Sequence, residues 1–442
     1  MRVFIADLAL GVVINTPCAE ALPPAPVELG SVRRNEQGQL EVVKPPPDRP
    51  SAVTRDSGAT PSGIDGPNAG PDKTPTAQAA SGRTIVVGPN EPIGSLKEAA
   101  RMARDGDTIE ILPGEYRRQA VVWGAGRVTI RGRGKRPVFL ADGDSAEDKA
   151  LWVVRNADML IENIEIRGVR VRHGNGAGIR LENGQLRIVR CAFLDNEMGI
   201  LTGNDPTTVL DIEDSEFGQA PKHSGALHHL LYAGTIARLS VRGSRFEQGF
   251  RGHLIKSRAR ESFLFYNMIV DGEGGRASYE VEFPNGGLAW MIGNIVGQSA
   301  STENPDLISY GAEGRRWPEN GLYLAHNTLL DEHHGGRFLR LWSDRLPPET
   351  EVWAINNLVV GPSTFSPLGP GRYDGNQTAE RSLLSNPDGQ DFSLPSNSRL
   401  RGTARPPGSV RERSLLPVAE FRLPAGTRAL ASGKPLSPGA LQ

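Results

Sequence analysis

Eight short motifs recur along the chain, and their phasing constrains the fold more than any other feature. Glu162-Asn163, Arg190-Cys191, Asp214-Ser215, Gly243-Ser244, Tyr266-Asn267, Gly293-Asn294, His326-Asn327 and Asn356-Asn357 each lead into an apolar run. Their second residues fall 23 to 33 positions apart. Self-similarity in that range marks a solenoid, in which each unit buries its apolar face only against its neighbours. Each unit also carries an earlier alternating segment, among them Gly178-Ile-Arg-Leu, His253-Leu-Ile-Lys and Tyr279-Glu-Val-Glu. Two or three short strands per unit, parted by Gly or Asn turns, describe one coil of a parallel β-helix. Five of the markers are Asn (163, 267, 294, 327 and 357), and stacked Asn side chains can hydrogen-bond along the axis.

The flanks differ from the repeats. Arg2 precedes a mostly apolar run from Val3 to Ile14, interrupted by Asp7, and Ala19-Glu20-Ala21 has the form of a signal-peptidase site. Residues 1–21 therefore read as a signal peptide and the protein as secreted or periplasmic. Residues 22–83 hold eleven prolines and no aromatic residue, the composition of a disordered linker. Ser95 to Arg104 has helical apolar spacing, and Ser95 with Glu98 forms a capping box. This helix opens a folded region spanning 84–361, where it would cover the exposed end of the stack.

The helix and the following Asp105-Gly-Asp-Thr-Ile-Glu-Ile-Leu-Pro-Gly-Glu-Tyr116 resemble the N-terminal cap and first coil of the pectate-lyase-like right-handed parallel β-helix superfamily. The resemblance extends over 84–361 and implies an all-β solenoid with a short N-terminal capping helix. It specifies fold more than activity, because the superfamily includes lyases, hydrolases, epimerases, esterases and surface proteins. It also implies that a tail, residues 362–442, lies back along the helix exterior, partly ordered.

Composition narrows the function. Fifty Lys+Arg against 51 Asp+Glu leave a net charge of −1, which argues against a nucleic-acid partner held by bulk positive charge. Two cysteines exclude a disulfide framework, and no apolar run is long enough for membrane insertion after the N-terminus. Oligomeric state leaves no trace. Against this balanced background, Arg251-Gly-His253-Leu-Ile-Lys256-Ser-Arg258-Ala-Arg260 places five potential cations in ten residues with no acid. An acidic polysaccharide is the partner that such a strand would suit; the plain alternative is a solvated face paired with neighbouring coils.

Register extends the site. With Ile255 facing in, alternation turns Leu254 and Lys256 outward, and inward Leu231 and Val281 do the same for Tyr232, Glu280 and Glu282. Coils stack about 4.8 Å apart, so Tyr232, Lys256 and Glu282 form a column with Arg258 beside it and His253 near Tyr279. Such a site could serve β-elimination, with Lys256 as base, Tyr232 or His253 as proton donor, and Arg258 on a uronate carboxylate. Arg251, Arg260, Tyr279, Glu280, Glu282 and Asn285 complete the substrate surface.

The stretch His253-Leu-Ile-Lys256-Ser257 distantly resembles the strand bearing the base lysine in alginate and dermatan lyases of β-helix fold. It lacks their Glu-x-Glu calcium pair, since positions 249 to 251 are Gly, Phe and Arg, and it offers Glu280 and Glu282 where they place an arginine. No metal site is assigned, although Glu280, Glu282 and Asn285 are oxygen donors that a Ca2+ could use. Two other readings stay open. Glu280 and Glu282 on one face would lie about 7 Å apart, the separation of an inverting glycoside hydrolase. A non-catalytic polysaccharide-binding or adhesin β-helix would use the basic strand for binding alone.

Overall fold

Every coil turns at the same place for the same backbone reason. In the computed structural model, Asn163, Arg190, Asp214, Gly243, Tyr266, Gly293, His326 and Asn356 all adopt a left-handed conformation, with φ between 48° and 66°. The residue after each one faces inward at a corner. The structure describes residues 82–442 except 125, 224–226, 334 and 367–369, together with an antiparallel strand pair, Ser31–Arg34 with Leu40–Val43. The expected leader, and the rest of the expected linker, lie outside the described residues.

The inward corner residues form a ladder. Each accepts the backbone N–H of its counterpart one coil earlier: Ser215 Oγ from Cys191, Ser244 Oγ from Ser215, and Asn267 Oδ1 from Ser244. Asn294, Asn327, Asn357 and Asn376 continue it at 2.9–3.0 Å. The amide NH2 of Asn294 also donates to Leu264 O and Asn327 Oδ1, so the buried amide is satisfied on both sides. Asn163 is not a rung. It is the left-handed residue itself, equivalent to Arg190, and buried Ile164 fills the ladder position. Asn tolerates both roles, which is why sequence placed it one residue out of step.

Among the described residues, the coils build three parallel sheets of twelve, eleven and nine strands. The twelve-strand sheet runs from Thr84–Val87 to Gly371–Asp374, and the eleven-strand sheet from Glu115–Arg117 to Gln377–Ala379. The nine-strand sheet runs from Val121–Trp123 to Arg337–Leu341. The helix therefore continues past 361, where sequence ended it. Inward residues stack in register, as in Phe193–Phe217–Phe246 with ring centroids 5.0 and 4.6 Å apart. A helix, Leu96–Met102, buries Leu96 and Ala99 in the main core, and Ser95 Oγ accepts the Glu98 N–H.

Two outer faces are covered by the chain's own C-terminal segment. Val410, Leu415 and Ala419 pack on Phe263, Trp290 and Tyr323 of the twelve-strand sheet. Leu384, Phe392, Leu394, Phe421 and Ala440 pack on Met268, Ile295, Leu330 and Leu358 of the eleven-strand sheet.

Candidate functional site

The nine-strand sheet departs from simple alternation at its entry. Leu230-Leu231, Leu254-Ile255, Leu307-Ile308 and Phe338-Leu339 are consecutive pairs, all buried in one core cluster. The residue after each pair faces out, and these outward residues stand in register: Val122, Val153, Arg180, Leu201, Tyr232, Lys256, Glu282, Ser309 and Arg340. The middle of that column carries the chemistry. Lys256 Nζ lies 3.4 Å from Glu282 Oε2 and 3.9 Å from Glu313 Oε1, and 5.6 Å from the Tyr232 ring centre. The Arg258 guanidinium sits 5.4 Å from the same ring and donates from Nη2 to Glu313 Oε1 at 2.6 Å.

A second column flanks the first. His229, His253 and Tyr279 stack one coil apart, with His253 4.7 Å from His229 and 5.1 Å from Tyr279 between ring centres. Their tautomers are set by the backbone: the His253 N–H donates to His229 Nδ1 at 2.9 Å, and the Tyr279 N–H to His253 Nδ1 at 3.3 Å. With Nδ1 so engaged, a neutral His253 carries its proton on Nε2, which lies 2.9 Å from Glu282 Oε2. Burial pushes the Glu282 carboxyl up, but His253 and Lys256 overcome it and hold the group at about 2, so it stays ionised. Burial first, and then the charges of His253, Lys256 and Arg258, hold His229 well below its ordinary value, as a neutral ring.

The structure thus brings together Tyr232, His253, Lys256, Arg258, Tyr279 and Glu282, and Asn285 joins them by donating from Nδ2 to Glu313 Oε2 at 3.4 Å. Three expected residues stand apart. Arg251 pairs with Glu303, which also holds Arg276. Arg260 is exposed and enters none of the cluster's contacts.

Glu280 is the clearest correction. It occupies the column of Leu254 and Leu307, is 0% exposed, and among the described residues neither carboxyl oxygen has a hydrogen-bond partner. Alternation fails here because residues 278–280 precede the strand Val281–Phe283, so Glu280 takes the first position of the buried pair, as Leu254 does. Burial, reinforced by Asp271 and Asp331, pushes its carboxyl well above the usual range. Glu280 and Glu282 consequently share no face, and the inverting pair is not formed. The Ca2+ donor set fails with it: Glu280 is inside, Asn285 presents its amide nitrogen to Glu313, and Glu282 Oε2 lies against two nitrogens. Among the described residues, no three His, Cys, Asp or Glu side chains are grouped to hold a metal ion.

Glu313 is a participant outside the set expected from sequence. It belongs to the segment between Tyr310 and Gly321, which folds back over the site. The Glu313 N–H donates to Pro284 O, Arg316 N–H to Asn285 O, and Trp317 Nε1–H to Arg258 O at 3.0 Å. Gly286 and Gly287 open the necessary space, at φ 66° and 88°; a Cβ on Gly286 would lie 2.2 Å from Asn320 Oδ1. The signal for this insertion is the longest marker spacing, from Asn294 to Asn327. His229 lacked any such signal, because nothing in a His-His pair says which ring faces the site.

Comparison with solved structures agrees on the fold. The chain is similar to a crystal structure of pectate lyase Pel9A, with a TM-score of 0.57 and 12% identity, covering 83% of this chain and 97% of that one. A PL6 family polysaccharide lyase, Pedsa3628 from Pseudopedobacter saltans, matches at a TM-score of 0.35 and 12% identity over 72% of this chain and 96% of that one, too distant to carry an argument. No known family model matches the sequence, and no curated protein does. The chain has a pectate-lyase-like parallel β-helix fold.

Proposed function

We propose that this protein is an exported lyase that cleaves a uronic-acid polysaccharide by β-elimination on its nine-strand sheet. The observation that carries the reading is the clustering of Lys256 with Tyr232, Arg258 and Glu282, four side chains of complementary chemistry. Each is supported by neighbours rather than left to solvent, and Lys256 is only 8% exposed.

In this reading a uronate carboxylate takes the Arg258 fork from Glu313, an exposed loop residue, and pairs with it bidentately. Lys256 removes the C5 proton, the electron pair forms the C4–C5 double bond, and the C4–O bond breaks. The leaving oxygen takes a proton from Tyr232, whose ring lies beside both cations. His253 faces Glu282 through Nε2 and is bound at Nδ1, so it positions Glu282 instead of acting as the donor.

A binding rod is the second reading, favoured by one observation: Glu313 already fills the Arg258 fork, so the cluster is complete without a substrate. Mass spectrometry of polygalacturonate, alginate and glycosaminoglycan digests separates the two. The lyase leaves product pairs whose new ends together lack one water relative to hydrolysis. Intact polymer throughout the panel overturns the lyase reading.

A further inference from the structure

Arg340 ends the outward column, three strands beyond Lys256, or about 14 Å at the usual interstrand spacing. Its guanidinium carbon lies 4.2 Å from the centre of the Trp342 ring, and that of Arg345 lies 4.3 Å from the same ring. The indole is itself anchored, since Trp342 Nε1–H donates to Ser309 Oγ at 3.2 Å, one strand beyond Glu282. Arg345 is held by donating to Ala312 O and stands 3.8 Å from Asp344, its one ion-pair partner among the described residues. Arg340 has no carboxylate partner among the described residues, whereas Arg337 on its own strand and Arg180 farther along the same outward column are paired with Asp306 and Glu182.

Two guanidinium groups on one indole repel each other, and the ring attracts each only modestly. What the arrangement provides is orientation: an arginine lying on an aromatic face keeps its N–H edge in plane and free for a bidentate oxyanion. We propose that Arg340 and Arg345, carried by Trp342, bind a carboxylate of a second sugar in the same uronic-acid chain, some units away from the one at Lys256. This rests on the reading of the cluster as a site for an acidic polysaccharide. It adds a subsite that makes affinity depend on chain length.

The test uses the full chain with Arg340→Gln and Arg345→Gln, each half-exposed or exposed and so compatible with folding. Arg187→Gln on the twelve-strand sheet controls for net charge. Affinity for polygalacturonate, alginate and a uronate disaccharide is measured by titration calorimetry, and double-bond formation is followed separately. Each variant is expected to bind a polymer roughly 5- to 10-fold more weakly, the scale of a partly exposed charge-assisted hydrogen bond. Disaccharide affinity and the Arg187→Gln control should not move. Unchanged polymer affinity in both variants, or a wild-type protein that binds neither polymer, overturns the subsite. Weakened polymer binding without any double bond leaves the subsite standing and removes the lyase reading; double bonds formed at unchanged affinity do the reverse.

Discussion

Glu280 and Glu282 are separated by one residue and behave as opposites. Glu282 is ionised between two nitrogens, while Glu280 replaces a leucine in a stack and has no hydrogen-bond partner among the described residues. The Glu280 carboxyl is raised above its unfolded value of about 4.3, so its burial costs little below that pH and progressively more above it. Asp271, pushed up to about 6 by burial, adds to the same trend. Glu280→Leu should therefore stabilise the protein by about 1–3 kcal/mol near pH 8 and by much less near pH 4, measured by urea denaturation. The variant should keep any activity, since the side chain does not reach the cluster; destabilisation would contradict the packing described. Glu282 has the other sign. Its depressed carboxyl contributes stability that is present above about pH 4.3 and lost as pH falls toward 2. Glu282→Gln should cost about 2–3 kcal/mol near neutral pH in the same urea measurement, because it leaves the buried Lys256 only the more distant Glu313 carboxylate.

Turns and strands were legible to different degrees. The Asn ladder could be read from spacing because a buried amide that bonds to both neighbours imposes one residue type at a fixed phase. Asn294→Ala removes four hydrogen bonds. It should lower stability by about 2–4 kcal/mol, against less than about 1 for Asn163→Gly, which keeps the left-handed backbone and loses only two bonds to carbonyls on a partly exposed corner. Equal losses in chemical denaturation would refute the distinction between rung and turn residue. The column Tyr232–Lys256–Glu282 was legible for a similar reason, since register follows once Leu231, Ile255 and Val281 are known to face in. Glu280 was not, because period-two alternation does not describe a strand entered through two buried residues. Only comparison with Leu254-Ile255 and Leu307-Ile308 would have shown it. Glu313 lies on a loop, where polarity alone carries no address.

At the scale of the whole molecule, the C-terminal segment packs on the twelve- and eleven-strand sheets, and the proposed polysaccharide would lie on the nine-strand face. Leu415 is fully buried on Phe263 and Trp290, where Arg413 also lies over both rings. Leu415→Asp should release this segment, seen as protease cleavage within 400–442 while the coil core resists; protection equal to wild type would show that the contact is dispensable. On the nine-strand face the cationic and aromatic groups Tyr232, Lys256, Arg340 and Trp342 follow the apolar stretch of Val153 and Leu201, and Lys256 is the base of the proposed chemistry.

The most direct test of that assignment is the ultraviolet absorbance of the unsaturated product, followed for wild type and Lys256→Arg on a polymer that both bind. Arginine keeps the charge but remains protonated at working pH, so it preserves binding and cannot act as a base. The account predicts a steady rise for wild type and a flat trace for the variant at comparable affinity. A rise retained in Lys256→Arg, or a flat wild-type trace on every uronic-acid polymer that it binds, would contradict it.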